Sequence, residues 1–237
     1  MEYIPRLLKS SIAEKLKTDK RIVVLFGPRQ VGKTTLACEI MNELSGEDPR
    51  TSEAISSCDL ARLRDVLSGY EYVLLDEAQY IPNVAHALKI FYDSQDSANT
   101  PVHILLTGSS SLSLAGGTRE PLTGSTWSYT LYPISFSEIL QKDNYFEAEA
   151  RLDDALVLGL YPALFSLPNR KDRVQHLREL SSAYRDVLEL GGIKNPKKLM
   201  DLLRLLAYQI GSEVSYSEIG QQCGLSAKPT RMPCLLR

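Results

Sequence analysis

The chain has 237 residues, 43% of them hydrophobic and 24% charged, with a formal net charge of −2. Such a composition builds a real core and excludes global disorder, and the near-neutral charge gives no chain-wide electrostatic case for nucleic acid. The length suits one α/β domain plus a smaller second unit.

In chain order, Ile4 to Leu16 reads as a helix. The N-terminal stretch carries charges throughout and has no apolar h-region, so no secretory signal is expected in it. Arg21–Phe26 is a short apolar run ending in glycine, which reads as a buried parallel strand. Lys33 to Leu44 is the next helix, closed by SGEDP. Asp59 to Leu67 is helical, and YEYVLLDE is a second buried strand. VAHALKIFYDS is a helix with Val84, Leu88 and Phe91 on one face. VHILLTGSS is a third apolar strand, and WSYTLYPIS adds another. This alternation predicts an α/β fold: a parallel sheet with helices on both faces.

After Phe136 the strand signals stop. SEIL, ARLDDALVLGL and RVQHLRELSSAYRDVLEL read as helices. NPKKLMDLLRLLAYQIG is a further helix, capped by Asn195 and with Pro196 at its first position. Its apolar stripe is Leu199, Leu202, Leu203, Leu206 and Ile210, and Gly211 ends it. The expected organisation is an α/β domain over 1–135, a helical domain over 136–212 and a final segment over 213–237. From Arg170 onward twelve Lys+Arg stand against seven Asp+Glu. That surplus is a weak hint of a polyanionic partner, and an ordinary solvated helical surface accounts for it better. The apolar stretch ALVLGLYPALF is too short to cross a membrane, and Pro162 interrupts it. Cys38, Cys58, Cys223 and Cys234 form no C-x-x-C pair and lie far from the three histidines, which disfavours a zinc site or a disulfide framework. A soluble, cytoplasmic protein without a membrane partner is expected.

The chemistry concentrates in LFGPRQVGKTTLA. Gly27-x4-Gly32-Lys33-Thr34 matches the P-loop pattern, with a strand before it and a helix after. The glycines let backbone N–H groups turn inward to cradle phosphate oxygens, and the helix start adds free N–H groups. Gly27, Pro28, Arg29, Gln30, Val31, Gly32, Lys33, Thr34 and Thr35 are the expected nucleotide-binding residues. Lys33 would sit on the β/γ-phosphates, and the Thr34 hydroxyl would ligate Mg2+. Asp76 ends an apolar strand where a Walker-B carboxylate reaches the metal. Glu77 follows and points to the other side, where it can act as base toward water. Thr107, Ser109 and Ser110 lie at the carboxyl end of the third strand, where ligands of open parallel sheets sit.

GPRQVGKTTL, LLDEAQYIP, LLTGSSSLSL and LTGSTWSYTLYPISFSEIL together resemble a prokaryotic family of AAA+-type P-loop ATPases with a helical, winged-helix-bearing C-terminal region. The resemblance spans roughly Tyr3 to Ser226. It implies an ATPase core in which Thr107-Gly108-Ser109 is the sensor segment, with Ser109 as the polar sensor. Two departures stand out. The family reads Leu-x-Gly-Arg where this chain has Leu122-Thr123-Gly124-Ser125. That arginine is a candidate arginine finger, and Arg119 is the only basic residue nearby. In the tail, SYSEIGQQCGLSAK resembles the first helix and turn of a winged helix, with Ser215 and Glu218 as a capping box. Pro229 and Pro233 then stop a recognition helix from forming, so the winged helix reads as cut short.

The leading expectation is an ATPase that hydrolyses Mg-ATP, with Lys33, Glu77 and Ser109 as catalytic residues and Thr34 and Asp76 on the metal. The alternative is a low-turnover, ATP-dependent switch that binds a protein partner, or DNA weakly through the C-terminal region. A small-molecule phosphotransferase lacks the expected basic lid, and a GTPase lacks an N-K-x-D run.

Overall fold

A computed structural model describes residues 3–45, 70–81, 84–95, 102–109, 122, 124–190, 196–209, 211–213 and 215–224. By internal contacts the chain divides into two units, Met1–Arg170 and Lys171–Arg237.

The first unit is built on four parallel strands: β1 (Ile22–Gly27), β2 (Tyr72–Leu75), β3 (His103–Ser109) and β4 (Thr126–Thr130). Their spatial order is β2-β3-β1-β4. Register aligns Gly27 with Ser109, Phe26 with Thr130 and Leu75 with Leu106, so the carboxyl ends of the strands share one edge. The central strands read as continuous apolar runs because both faces are covered. On one face α1 (Leu8–Thr18) and α2 (Lys33–Ser45) bury Val23, Leu25, Leu74 and Leu105 with Ile12, Leu16, Leu36 and Ile40. On the other, α3 (Val84–Ser94) lays Val84, Leu88 and Phe91 on Ile22, Val24, Val73, Leu75, Ile104 and Leu106. Leu25 and Leu88 are fully buried, and each such side chain contributes about 1.5–3 kcal/mol by leaving water.

The change from strands to helices near Tyr132–Ser137 falls inside the first unit. There α4 (Phe136–Lys142), α5 (Tyr145–Ala150) and α6 (Leu152–Leu158) follow, and Ile134, Ile139 and Ala148 form a small core with Ile4. Ser135 caps α4 in a full capping box with Glu138. Both Glu138 oxygens are committed: Oε2 accepts from the Ser135 N–H at 2.8 Å and Oε1 from the Leu7 N–H at 2.9 Å. The Arg6 guanidinium also pairs with Oε1 at 3.1 Å. Burial alone would raise the Glu138 carboxyl, but these donors outweigh it and hold it below the usual carboxylate range.

The second unit contains α7, which starts at the boundary (Arg170–Leu190), α8 (Pro196–Tyr208) and α9 (Tyr216–Gln222). On the α8 stripe Leu203 and Leu206 are exposed. The Ser215 side chain caps α9 by accepting from the Glu218 N–H at 3.4 Å. The expected helix over Asp59–Leu67, the Asn195 cap and the proline-containing tail lie outside the described residues. No helix among the described residues is long and apolar enough to cross a membrane.

Candidate nucleotide site

The loop between β1 and α2 is shaped by what cannot fit there. A Cβ on Gly27 would stand 2.5 Å from the Leu131 carbonyl oxygen, so only hydrogen is tolerated. Gly32 sits at φ 94°, in the left-handed region that glycine enters freely. Val31 is fully buried and anchors the loop on the α1/α2 side of the sheet. Gln30 (φ 61°) and Glu77 (φ 50°) are the two non-glycine residues with positive φ among those described, and both lie here. Strain of this kind persists only where the surroundings over-determine it, and it concentrates at functional sites.

Lys33 opens α2 and is 4% exposed. Its Nζ donates to the carbonyls of Gly27 at 3.2 Å and Pro28 at 3.0 Å, and it stands 4.0 Å from Glu77 Oε1. Burial pushes the ammonium below its usual range. Glu77 and Asp76 pull it back up, and the Arg29 charge adds to the lowering. The Thr34 hydroxyl lies 2.9 and 3.1 Å from the two Asp76 carboxylate oxygens. Thr107, fully buried, donates its hydroxyl to Asp76 Oδ1 and accepts the Glu77 N–H at 2.9 Å. Glu77 is thereby held by its backbone while its carboxylate engages Lys33 and Gln79. Gln79 donates to Glu77 Oε2 and accepts the Ser109 N–H at 3.2 Å. Arg29 reaches the Tyr80 hydroxyl at 3.2 Å.

The structure thus gathers Gly27 to Thr34, Asp76, Glu77 and Ser109 at the carboxyl edge of the sheet. Thr35 is exposed on the first turn of α2. Ser110 and Arg119 lie outside the described residues. Ser125 is not part of this group. It is 1% exposed at the start of β4, where its carbonyl accepts the Ile22 N–H at 3.0 Å, at the opposite edge of the sheet. A side chain there cannot serve the phosphate loop of its own chain. Five strand residues at about 3.3 Å each separate the two edges.

The contacts of three residues escaped the sequence reading. Thr107 is committed to Asp76 rather than to a substrate, and a lone hydroxyl in the apolar run ILLTG was its signal. Gln79, two residues after Glu77, closes the site toward β3. Arg6 donates to the Val31 carbonyl at 3.1 Å and the Tyr132 carbonyl at 2.5 Å, steadying the loop from behind. Nothing local in the sequence marks Arg6, because its partners are 25 and 126 residues away.

A family model described as an AAA domain (AAA_14) matches residues 19–140, and a domain of unknown function (DUF8612) matches residues 149–232. The chain is 24% identical over 237 residues to the uncharacterized protein MJ1544 of Methanocaldococcus jannaschii, covering 90% of this chain and 52% of that one. It is 36% identical over 107 residues to the uncharacterized protein Rv2008c of Mycobacterium tuberculosis, covering 44% of this chain and 23% of the other. The chain therefore spans about half the length, or less, of these curated relatives. Among solved structures, the Thermotoga maritima RuvB Holliday junction branch migration motor aligns at 16% identity with a TM-score of 0.45, over 94% of this chain and 83% of that one. AMPPCP-bound DnaA from Aquifex aeolicus aligns at 14% identity with a TM-score of 0.47, over 93% and 77%. The AAA-domain match takes in more than half of the chain, including the loop, Asp76, Glu77 and Ser109, and the chain belongs to that family of nucleotide-binding P-loop ATPases.

Proposed function

We propose that this domain binds Mg-ATP and hydrolyses it to ADP and phosphate. The observation that carries the reading is the division of labour between two adjacent carboxylates. Asp76 is held by the hydroxyls of Thr34 and Thr107, while Glu77, on a left-handed backbone, directs its carboxylate elsewhere. Holding a nucleotide needs only the first arrangement. A second carboxylate free of the first one's partners is what proton removal from water needs.

The donor set fits Mg2+. A carboxylate and a hydroxyl in contact are hard oxygen donors. No cluster of three or more His, Cys, Asp or Glu suited to a metal occurs among the described residues. Mg2+ is commonly held through one or two side chains and substrate phosphates rather than in a closed protein cage. When bound, Mg2+ would neutralise charge on the β- and γ-phosphate oxygens. The loop N–H groups and the start of α2 would bind the phosphates, with Lys33 exchanging its carbonyl partners for phosphate oxygens. Glu77 would take a proton from water as the water oxygen bonds to the γ-phosphorus. The bond to the β–γ bridging oxygen breaks, and ADP leaves with the electron pair.

Phosphate release and binding of a non-hydrolysable ATP analogue test this. Glu77→Gln should retain analogue affinity while turnover falls by roughly 10²–10⁴. Lys33→Ala should lose binding itself. Equal loss of binding and turnover in Glu77→Gln would make Glu77 structural, and a wild type that binds no ATP would end the proposal.

The position of Ser125 favours a second reading, a slow switch. Ser125 stands, buried, where the resembling family has its candidate arginine finger, so a copy of this chain presents no cation from that position to the nucleotide of a neighbouring copy. An arginine finger can contribute about 10³–10⁵ in rate, and its loss leaves binding intact. A partner would then be the reader of the ATP-bound form, either a protein or DNA bound weakly through the basic C-terminal region. Phosphate release measured with and without duplex DNA, over a salt series, separates these cases.

A further inference from the structure

Gln79 touches both the proposed base and the strand beside the phosphate loop. It lies half-buried on the short 3-10 turn Ala78–Tyr80 that follows β2. One end of its amide donates to Glu77 Oε2, and the other accepts the Ser109 N–H at 3.2 Å. The two contacts allow one amide orientation only. A backbone N–H can only donate and a carboxylate can only accept, so the oxygen must face Ser109 and the nitrogen must face Glu77. Glu77 itself carries an unfavourable left-handed backbone and a carboxylate with two pulls on it, Lys33 at 4.0 Å and Gln79. Lys33 is also the cation that phosphates would recruit. Once Lys33 turns to phosphate, Gln79 is the remaining side-chain hold on the Glu77 carboxylate among the contacts described here.

We propose that Gln79 is a positioning residue for hydrolysis, fixing the Glu77 carboxylate against the end of β3 so that it faces the attacking water rather than following Lys33. The inference rests on Glu77 being the base. Because Ser109 pairs in register with Gly27, the first glycine of the loop, Gln79 also ties the base to the strand that borders the phosphates. A displacement of Ser109 would then be carried to Glu77 through a rigid amide.

The test is a double-mutant cycle on the intact chain, combining Gln79→Ala with Glu77→Gln. Single-turnover phosphate release is read beside the affinity for a non-hydrolysable ATP analogue. Misplacing a reacting group by about 1 Å can cost about 10²-fold. Gln79→Ala should therefore slow release by roughly 10- to 100-fold, with analogue affinity within about twofold of wild type. In the Glu77→Gln background the same change should slow release no further, because the group it positions is already disabled. Should Gln79→Ala fail to fold, Gln79→Glu serves. It keeps an acceptor for the Ser109 N–H but sets a second carboxylate against Glu77, and turnover should fall similarly. Wild-type release in either Gln79 variant, with Glu77→Gln inactive, overturns the role of Gln79 alone. An undiminished further loss in the double variant does the same, since Gln79 would then act independently of Glu77. Wild-type release in Glu77→Gln overturns the base assignment and this inference together.

Discussion

The two edges of the same parallel sheet hold similar groups in different ways. At the amino edge, Asp19 takes the Trp127 indole N–H at 2.8 Å and the Arg21 N–H at 3.0 Å, and pairs with the Arg21 guanidinium at 3.4 Å. Lys15 and Arg21 lie over the Trp127 ring at 4.7 and 4.4 Å. His103 stacks on Tyr72 and contacts the Asp19 carbonyl. Charges there meet opposite charges or ring faces, and no non-glycine residue described there has a positive φ. At the carboxyl edge two non-glycine residues are left-handed, an ammonium is buried against carbonyls, and two carboxylates are adjacent. The amino edge is arranged for stability. The carboxyl edge holds groups that gain by meeting an anion, which is how a binding site differs from a well-satisfied core.

The largest expected break in that contrast is Gly27→Ala. Its methyl would meet the Leu131 carbonyl, and Leu131 is itself fastened to the Phe26 carbonyl by a 2.7 Å hydrogen bond. Neither backbone can retreat without parting β1 from the segment after β4. A thermal melt should show a loss of about 1–3 kcal/mol, and ATP-analogue binding should disappear. Retained binding would mean that the loop has room it does not display.

Thr107→Val is the next test. Valine nearly keeps the shape but removes the donor to Asp76 and the acceptor of the Glu77 N–H. A buried N–H left unpaired costs about 1–3 kcal/mol. Mg2+-dependent turnover should fall, and Thr107→Ser should restore most of it. If valine is harmless, the Asp76–Thr107 contact does not organise the site.

Glu138→Gln sharpens the comparison from behind the loop. The native carboxyl lies below the usual range, so its contribution is complete above the unfolded value of about 4.3 and is lost as pH falls through the lower folded value. The stability gap between wild type and variant should be widest near neutral pH and should close in acid. A gap independent of pH would trace the effect to shape rather than charge.

These contacts mark where sequence reasoning reached and where it stopped. The loop was readable because Gly27 and Gly32 answer local demands, a close approach and a left-handed turn. The strands were readable because covering both faces leaves apolar runs. The helix over Val84–Ser94 was readable from its single apolar face. The first helix begins at Leu8 rather than Ile4 because the preceding residues are spoken for: Leu7 gives its N–H to Glu138, and Arg6 gives its guanidinium to the loop. Arg6–Glu138 joins residues 132 apart, and Thr107–Asp76 joins residues 31 apart. Such pairs exist only once the strand order is known. The location of Ser125 did carry a signal: it directly precedes a strand, and in a parallel sheet strand starts and phosphate loops lie on opposite edges.

The smallest expected effect completes the comparison. Ser125 and Thr107 are both buried hydroxyls, 1% and 0% exposed, on opposite edges. Thr107 serves two groups that have nowhere else to turn. Ser125 accepts from Lys89 Nζ at 3.0 Å, but that ammonium also has Asp93 at 2.9 Å, and the Lys89 side chain is 34% exposed. Ser125→Ala therefore leaves a cation with a partner and with water within reach. It should cost less than about 1 kcal/mol, with ATP-analogue affinity and turnover unchanged. Ser125→Arg should behave differently for the same reason: it brings a second cation against Lys89 in a site without room, so the melt should fall. In dilute protein, turnover should not rise, because the guanidinium lies at the wrong edge to meet the nucleotide of its own chain. A rise that grows with protein concentration would show a neighbouring copy presenting its amino edge to this carboxyl edge, and the two edges would then be functionally joined across molecules.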